Sequence, residues 1–242
     1  MVKKNERNSR RAIAEQLRKE QQRKERRRSL LILGACIIVV LGLLGSASYV
    51  YWQDQKERKE AAGTPLAELG VSESAAACQE IKAEEVDLPV QKDGTYHVPI
   101  GSTVDYPDAP PAFGYHWANF LQGSELRTFY TPDDRPEVQR LVHSLEHGHT
   151  ILWYDDTVKP GSDAYKTLQA IADKFDTYFI AAPWQASDGD SFPSGQHLAL
   201  THWTGPENQQ GITQYCAAPS GAVVKKFTDD YEAENSPEPG AV

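Results

Sequence analysis

The chain has 242 residues, with 34 Asp/Glu against 25 Lys/Arg and a net charge of −9. An acidic balance of this size speaks against nucleic-acid binding, which draws most of its affinity from Lys/Arg on phosphates. The single methionine, at position 1, also speaks against copper(I) chaperoning by thioethers.

The charge is unevenly spread. Residues 1–28 carry 12 Lys/Arg against 4 Asp/Glu, a basic segment that reads either as a helix on anionic lipid or as a disordered charged tail. Residues 29–52 hold no charge and are dominated by Leu, Ile, Val, Ala and Gly. At about 1.5 Å per residue they are long enough to cross a ~30 Å hydrocarbon layer, so membrane lipid is the expected partner of this stretch. Tyr49, Tyr51 and Trp52 form an aromatic belt at its far end. The positive flank stays in the cytoplasm, which puts the remainder outside it as a single-pass protein of the cell membrane. Gly45-Ser-Ala47 resembles a signal-peptidase site, and a cleaved leader is the competing reading.

Residues 53–77 read as a stalk, charged at first and then small and polar. Beyond the basic segment, 13 of the chain's Lys/Arg and 30 of its Asp/Glu remain, a net of −17. Residues 78–228 are expected to form one compact exported domain, α+β with a small mixed sheet. The acidic run 229–242 has almost no large apolar residue and reads as disordered. Cys36 lies in the apolar stretch, whereas Cys78 and Cys216 bracket the domain and are expected to pair in an oxidising compartment. Closing so long a loop stabilises by about 5 kcal/mol in the chain-entropy model.

Within the domain, Thr95–Trp117 is a Pro- and Gly-punctuated loop carrying His97 and His116. Pro110-Pro111 stiffens it, and Gly114 permits an unusual backbone angle next to His116. The richest segment follows at Thr131–Tyr154. Asp134 with Glu137 looks like a capping box, Pro136 suits a first turn and Gly148 is a natural stop, so the spacing predicts a helix from Arg135 to His147. Val138, Leu141, Val142 and Leu145 make its apolar face, and His143 and His147 project from the other side with Glu146 beside them. A strand, His149–Tyr154, comes next. Further on the pattern gives a helix at Lys166–Phe175 and strands at Tyr178–Ala181, Gln196–Trp203 and Gly211–Tyr215.

Two imidazoles four residues apart on a helix can share an ion, and Glu146 and His149 are near enough to assist. The candidate metal ligands are His116, His143 and His147, completed by Glu146, His149 or His97, and imidazole donors suit zinc or copper(II). His143-Ser-Leu-Glu146-His147 also fits H-x-x-E-H, in which Glu146 is the general base of a zinc hydrolase. That reading needs a further acidic ligand downstream, with Glu207 and Glu232 as candidates. The plain alternative is a packed helix whose histidines are hydrogen-bonded. No G-x-S-x-G, P-loop, C-x-x-C or haem-attachment motif is present. An accessory or interaction module docked on another membrane protein, such as a respiratory cytochrome complex, therefore stands beside the metal-binding and hydrolase readings.

At HVPIGSTVDYPDAPP, VHSLEHGHTILWYD and LALTHW before Cys216, the chain resembles a bacterial family, domain-of-unknown-function family 3105. The likeness covers about residues 78–227. That family's pattern has a PPTSGPH-like loop and an H-N-L-E-H-G-G stretch followed by a strand ending in WY. Here the Pro pair, the Gly and the histidines at 116, 143 and 147 are kept. Phe113 stands at the loop's Ser position and His149 at the second Gly, so no role is carried over for a loop hydroxyl. The resemblance supports the domain and the His/Glu set without naming a reaction.

Overall fold

The computed structural model describes residues 2–240, with side chains described from residue 15 onward except residue 16. The chain falls into two units, residues 1–58 and 59–242. Helix α1 (Val2–Gly63) starts in the basic segment and continues unbroken through the uncharged stretch. Its Leu, Ile and Val side chains from 30 to 44 are exposed, and it is long and apolar enough to cross a membrane.

The second unit is α+β. Its five-stranded mixed sheet has the order β1 (Lys82–Glu85), β7 (Gln210–Cys216), β6 (Leu198–Thr204), β4 (Thr150–Tyr154), β5 (Phe179–Pro183). Only β4 and β5 run parallel, joined through helix α3 (Asp163–Ala172), and the other pairs are antiparallel. Alternation along β4 explains why all five of its residues are buried. Leu152 and Tyr154 pack with Leu168, Ile171, Val224 and Phe227, on α3 and helix α4 (Gly221–Asp230). Ile151 and Trp153 pack on the opposite face with Leu141, Val142 and Leu145 of helix α2 (Val138–Glu146). A separate parallel pair, β2 (His97–Val98) and β3 (His116–Trp117), lies within the Pro-rich segment. Cys78 and Cys216 are disulfide-bonded, tying the start of the unit to the end of β7.

Several expectations are corrected. Helix α2 starts at Val138 because Asp134 is engaged elsewhere: it accepts from the Thr131 main-chain N–H and hydroxyl and pairs with Arg127. Glu137, the residue before the helix, is extended and caps nothing with its side chain. The helix ends before Gly148, whose φ is +95°. A Cβ there would lie 2.5 Å from the Ala233 carbonyl oxygen, so glycine also serves close packing. Helix α3 begins three residues earlier than expected, capped by Ser162, which accepts from the Tyr165 N–H.

Residues 53–77 are not a free stalk. Helix α1 persists to Gly63, Leu69 and Ala76 are buried in the core of the second unit, and Gly70 bridges Ser220. The acidic run is folded as well over its described residues, 229–240. Asp229 and Asp230 end α4, Ala233–Asn235 form a 3-10 turn, and Ser236 is fully buried. Composition predicts disorder there because few apolar side chains are available, but the run is held by its main chain. The Asn235 carbonyl accepts from Gly205 N–H at 2.6 Å, and Glu238 N–H donates to the Glu146 carbonyl at 3.0 Å.

Candidate metal centre

The parallel pairing of β2 and β3 sets His97 directly opposite His116. The bend that delivers His116 needs Gly114, whose φ is +151° and whose absent Cβ would meet the Tyr106 ring at 2.9 Å. Trp203 packs edge-on to the His116 ring, and Tyr96 and Phe113 surround Trp203. From the other side, α2 brings His143, Glu146 and His147. Both faces of this helix are buried, the apolar one on the sheet and the polar one under the loop and the C-terminal segment.

Backbone carbonyls fix the imidazoles. His116 Nδ1 lies 2.8 Å from the Gly114 carbonyl oxygen and His143 Nδ1 lies 2.7 Å from that of Trp117. A carbonyl can only accept, so Nδ1 carries a proton in both rings, and in the neutral imidazole Nε2 then presents a lone pair. These lone pairs converge on one carboxylate. Glu146 Oε2 is 2.9 Å from His116 Nε2, 3.8 Å from His97 Nε2 and 4.0 Å from His143 Nε2. His97, His116, His143 and Glu146 each offer a ligand atom, all within 4.8 Å of one another.

The carboxylate is only 3 % exposed, and histidines are its ion-pair partners, with no lysine or arginine on it among the described residues. A buried carboxylate without a counter-charge is costly. The 2.9 Å approach of His116 Nε2 does not serve as a hydrogen bond, since neither that nitrogen nor Oε2 has a hydrogen-bond partner. Two lone-pair atoms at this distance repel unless a proton or a metal cation lies between them. A tetrahedral ion with bonds of about 2.0–2.1 Å separates its ligand atoms by about 3.3 Å, inside the 2.9–4.0 Å range of the three nitrogens' distances from Oε2 and below the 4.8 Å that bounds all the ligand-atom pairs. The set is three imidazoles and one carboxylate, and the carbonyl partners of the far ring nitrogens match the way metal-bound histidines are oriented. Burial, and then the neighbouring His116, lowers the His143 pKa to about 3, so the ring is neutral and free to ligate near pH 7.

The structure divides the remaining candidates. His147 stacks on His143 with centroids 4.7 Å apart and planes 28° apart, an arrangement that does not aim both rings at one point. Its Nδ1 donates to the Glu238 carbonyl at 2.8 Å, and it groups with Glu146 and Glu238. The inverted-zincin geometry, two helix histidines on one ion with Glu146 free as base, is therefore not formed. Glu207 and Glu232 belong to neither group and are exposed. His149 is also outside: its Nδ1 donates to the Ser144 carbonyl at 3.0 Å and its ring packs on Tyr178. Glu238 was missed in the sequence because it sits in a run whose composition suggests disorder. The His97–His116 pairing was equally hidden, since two-residue strands leave no periodic signal.

Fold and site together define an α+β domain built around a buried His3Glu cluster and preceded by a long apolar helix. The chain belongs to the family described as protein of unknown function (DUF3105), which it matches over residues 97–242, the whole His/Glu set included. Residues 8–53, confined to α1, are in addition similar to a domain described as an inhibitor of host cell division protein. No curated protein and no solved structure matches the chain.

Proposed function

We propose that this protein is a membrane-anchored, extracytoplasmic metal-holding domain, with zinc or copper(II) bound by His97, His116, His143 and Glu146. The observation that carries the reading is the convergence of three Nε2 atoms on Glu146 Oε2, with the rings of His116 and His143 pinned by backbone carbonyls. Four protein ligands close a tetrahedral site, which suits a structural, storage or transfer role better than hydrolysis, where an open position is needed. The length and apolar character of the uncharged part of α1 support its reading as the anchor, and the basic flank before it supports a second unit outside the cytoplasm. A tether of this kind suits an accessory role beside another membrane protein, a respiratory cytochrome complex being one candidate host.

The test is metal analysis of the full-length protein purified in detergent. At least one zinc or copper per chain is expected, lost in His116→Ala and His143→Ala. It should persist in His197→Ala, a histidine that pairs with Asp155 away from the cluster. Substoichiometric metal in the wild type, unchanged by these substitutions, overturns the proposal. Stoichiometric recovery of a second membrane protein in gentle detergent supports the accessory role, and recovery of this chain always alone contradicts it.

A further inference from the structure

We propose that the centre is dinuclear, with the Glu146 carboxylate bridging the ion described above and a second divalent cation held by His147 and Glu238. This rests on the four-ligand reading, because the bridging group is a ligand of that site.

Glu146, His147 and Glu238 offer ligand atoms within 4.8 Å of one another, and Glu146 is common to both groups. His147 is 8 % exposed, and its one side-chain hydrogen bond among the described residues is made by Nδ1, donating to the Glu238 carbonyl. In the neutral ring Nε2 therefore carries a lone pair, with no hydrogen-bond partner among the described residues. Main-chain bonds then bring Glu238 to the helix: its N–H donates to the Glu146 carbonyl, and its carbonyl accepts from His147. This double clamp, across 91 residues of sequence, sets a second carboxylate beside a buried one. No lysine or arginine pairs with either group among the described residues, so the negative charge at the Glu146–Glu238 junction is uncompensated. Phe120 lies edge-on to both His143 and His147, so one aromatic ring covers both halves of the cluster.

The two halves differ in chemistry. The first offers three nitrogens and one oxygen from buried or half-buried residues. The second offers one nitrogen and two carboxylates, with Glu238 exposed, a harder and more open set suited to zinc, manganese or iron(II). A shared carboxylate holds two such ions about 3.5–4 Å apart. The outer ion should exchange freely, and the inner one slowly.

The test loads full-length protein in detergent with zinc alone for counting and with cobalt(II) alone for electron paramagnetic resonance. Two ions per chain are expected, one of them removed quickly by chelator, with magnetically coupled cobalt ions. Glu238→Gln changes an exposed side chain and keeps both main-chain clamps, so the fold is retained. It should halve the metal content and abolish the coupling. One ion per chain, lost in His143→Ala and unaffected by Glu238→Gln or His147→Ala, overturns the dinuclear proposal and leaves the four-ligand site standing. Two uncoupled ions that ignore Glu238→Gln overturn the bridge. No ion at all removes both.

Discussion

His147 and Glu238 are 91 residues apart in the chain, and the ring Nδ1 of the first donates to the main-chain carbonyl of the second at 2.8 Å. The acidic end of the chain is thereby part of the wall of the His/Glu cluster. Removing residues 232–242 deletes this bond together with those of Asn235 to Gly205 and Glu238 to Glu146. At about 1 kcal/mol each, the truncated protein should be less stable by about 3 kcal/mol in urea unfolding. An unchanged unfolding midpoint would mean that the segment is an idle tail.

Acid should destabilise the metal-free second unit. Burial lowers the pKa of His149 and His202 to about 4, and that of His143 to about 3. The unfolded chain protonates histidine near 6.5, so below that pH it binds more protons than the folded state. Stability is therefore fully present above about pH 6.5 and is lost as the pH falls toward 4. Each of the three histidines contributes up to about 1.4 kcal/mol per pH unit within this window. Urea unfolding in a chelator between pH 7.5 and 4.5 should show a steady fall, and a flat profile would contradict the burial of these rings.

The disulfide closes a sequence separation of 138 residues between Cys78 and Cys216. In the chain-entropy model such a loop is worth about 5 kcal/mol, so reduction or Cys78→Ser should lower the unfolding midpoint sharply. The native protein should also run faster on a non-reducing gel than on a reducing one. Free alkylation of both thiols under native conditions would refute the pairing.

Much of this arrangement was legible in the residues before the coordinates. The i, i+3 and i+4 spacing of His143, Glu146 and His147 set them on one flank of a helix, and the run from His149 to Tyr154 reads as a buried strand, which the structure forms over Thr150–Tyr154. The helix start was misjudged because Asp134 and Glu137 have capping spacing, yet Asp134 closes the Thr131 turn and pairs with Arg127 instead. The partition of the histidines could not be read. It depends on the two-residue pairing that sets His97 against His116, and on which carbonyl each Nδ1 finds. The acidic run failed on composition, because main-chain bonds and the buried Ser236 hold it where apolar side chains are few.

An ion among three imidazoles and a carboxylate has a coordination shell that X-ray absorption at the metal edge reads directly. With one zinc equivalent added to full-length protein in detergent, the shell should be tetrahedral, of nitrogen and oxygen at about 2.0–2.1 Å. Outer-shell scattering should correspond to three imidazoles, and to one fewer in His143→Ala. A six-coordinate, water-like shell without imidazole scattering, or a spectrum that His143→Ala leaves unchanged, would contradict it.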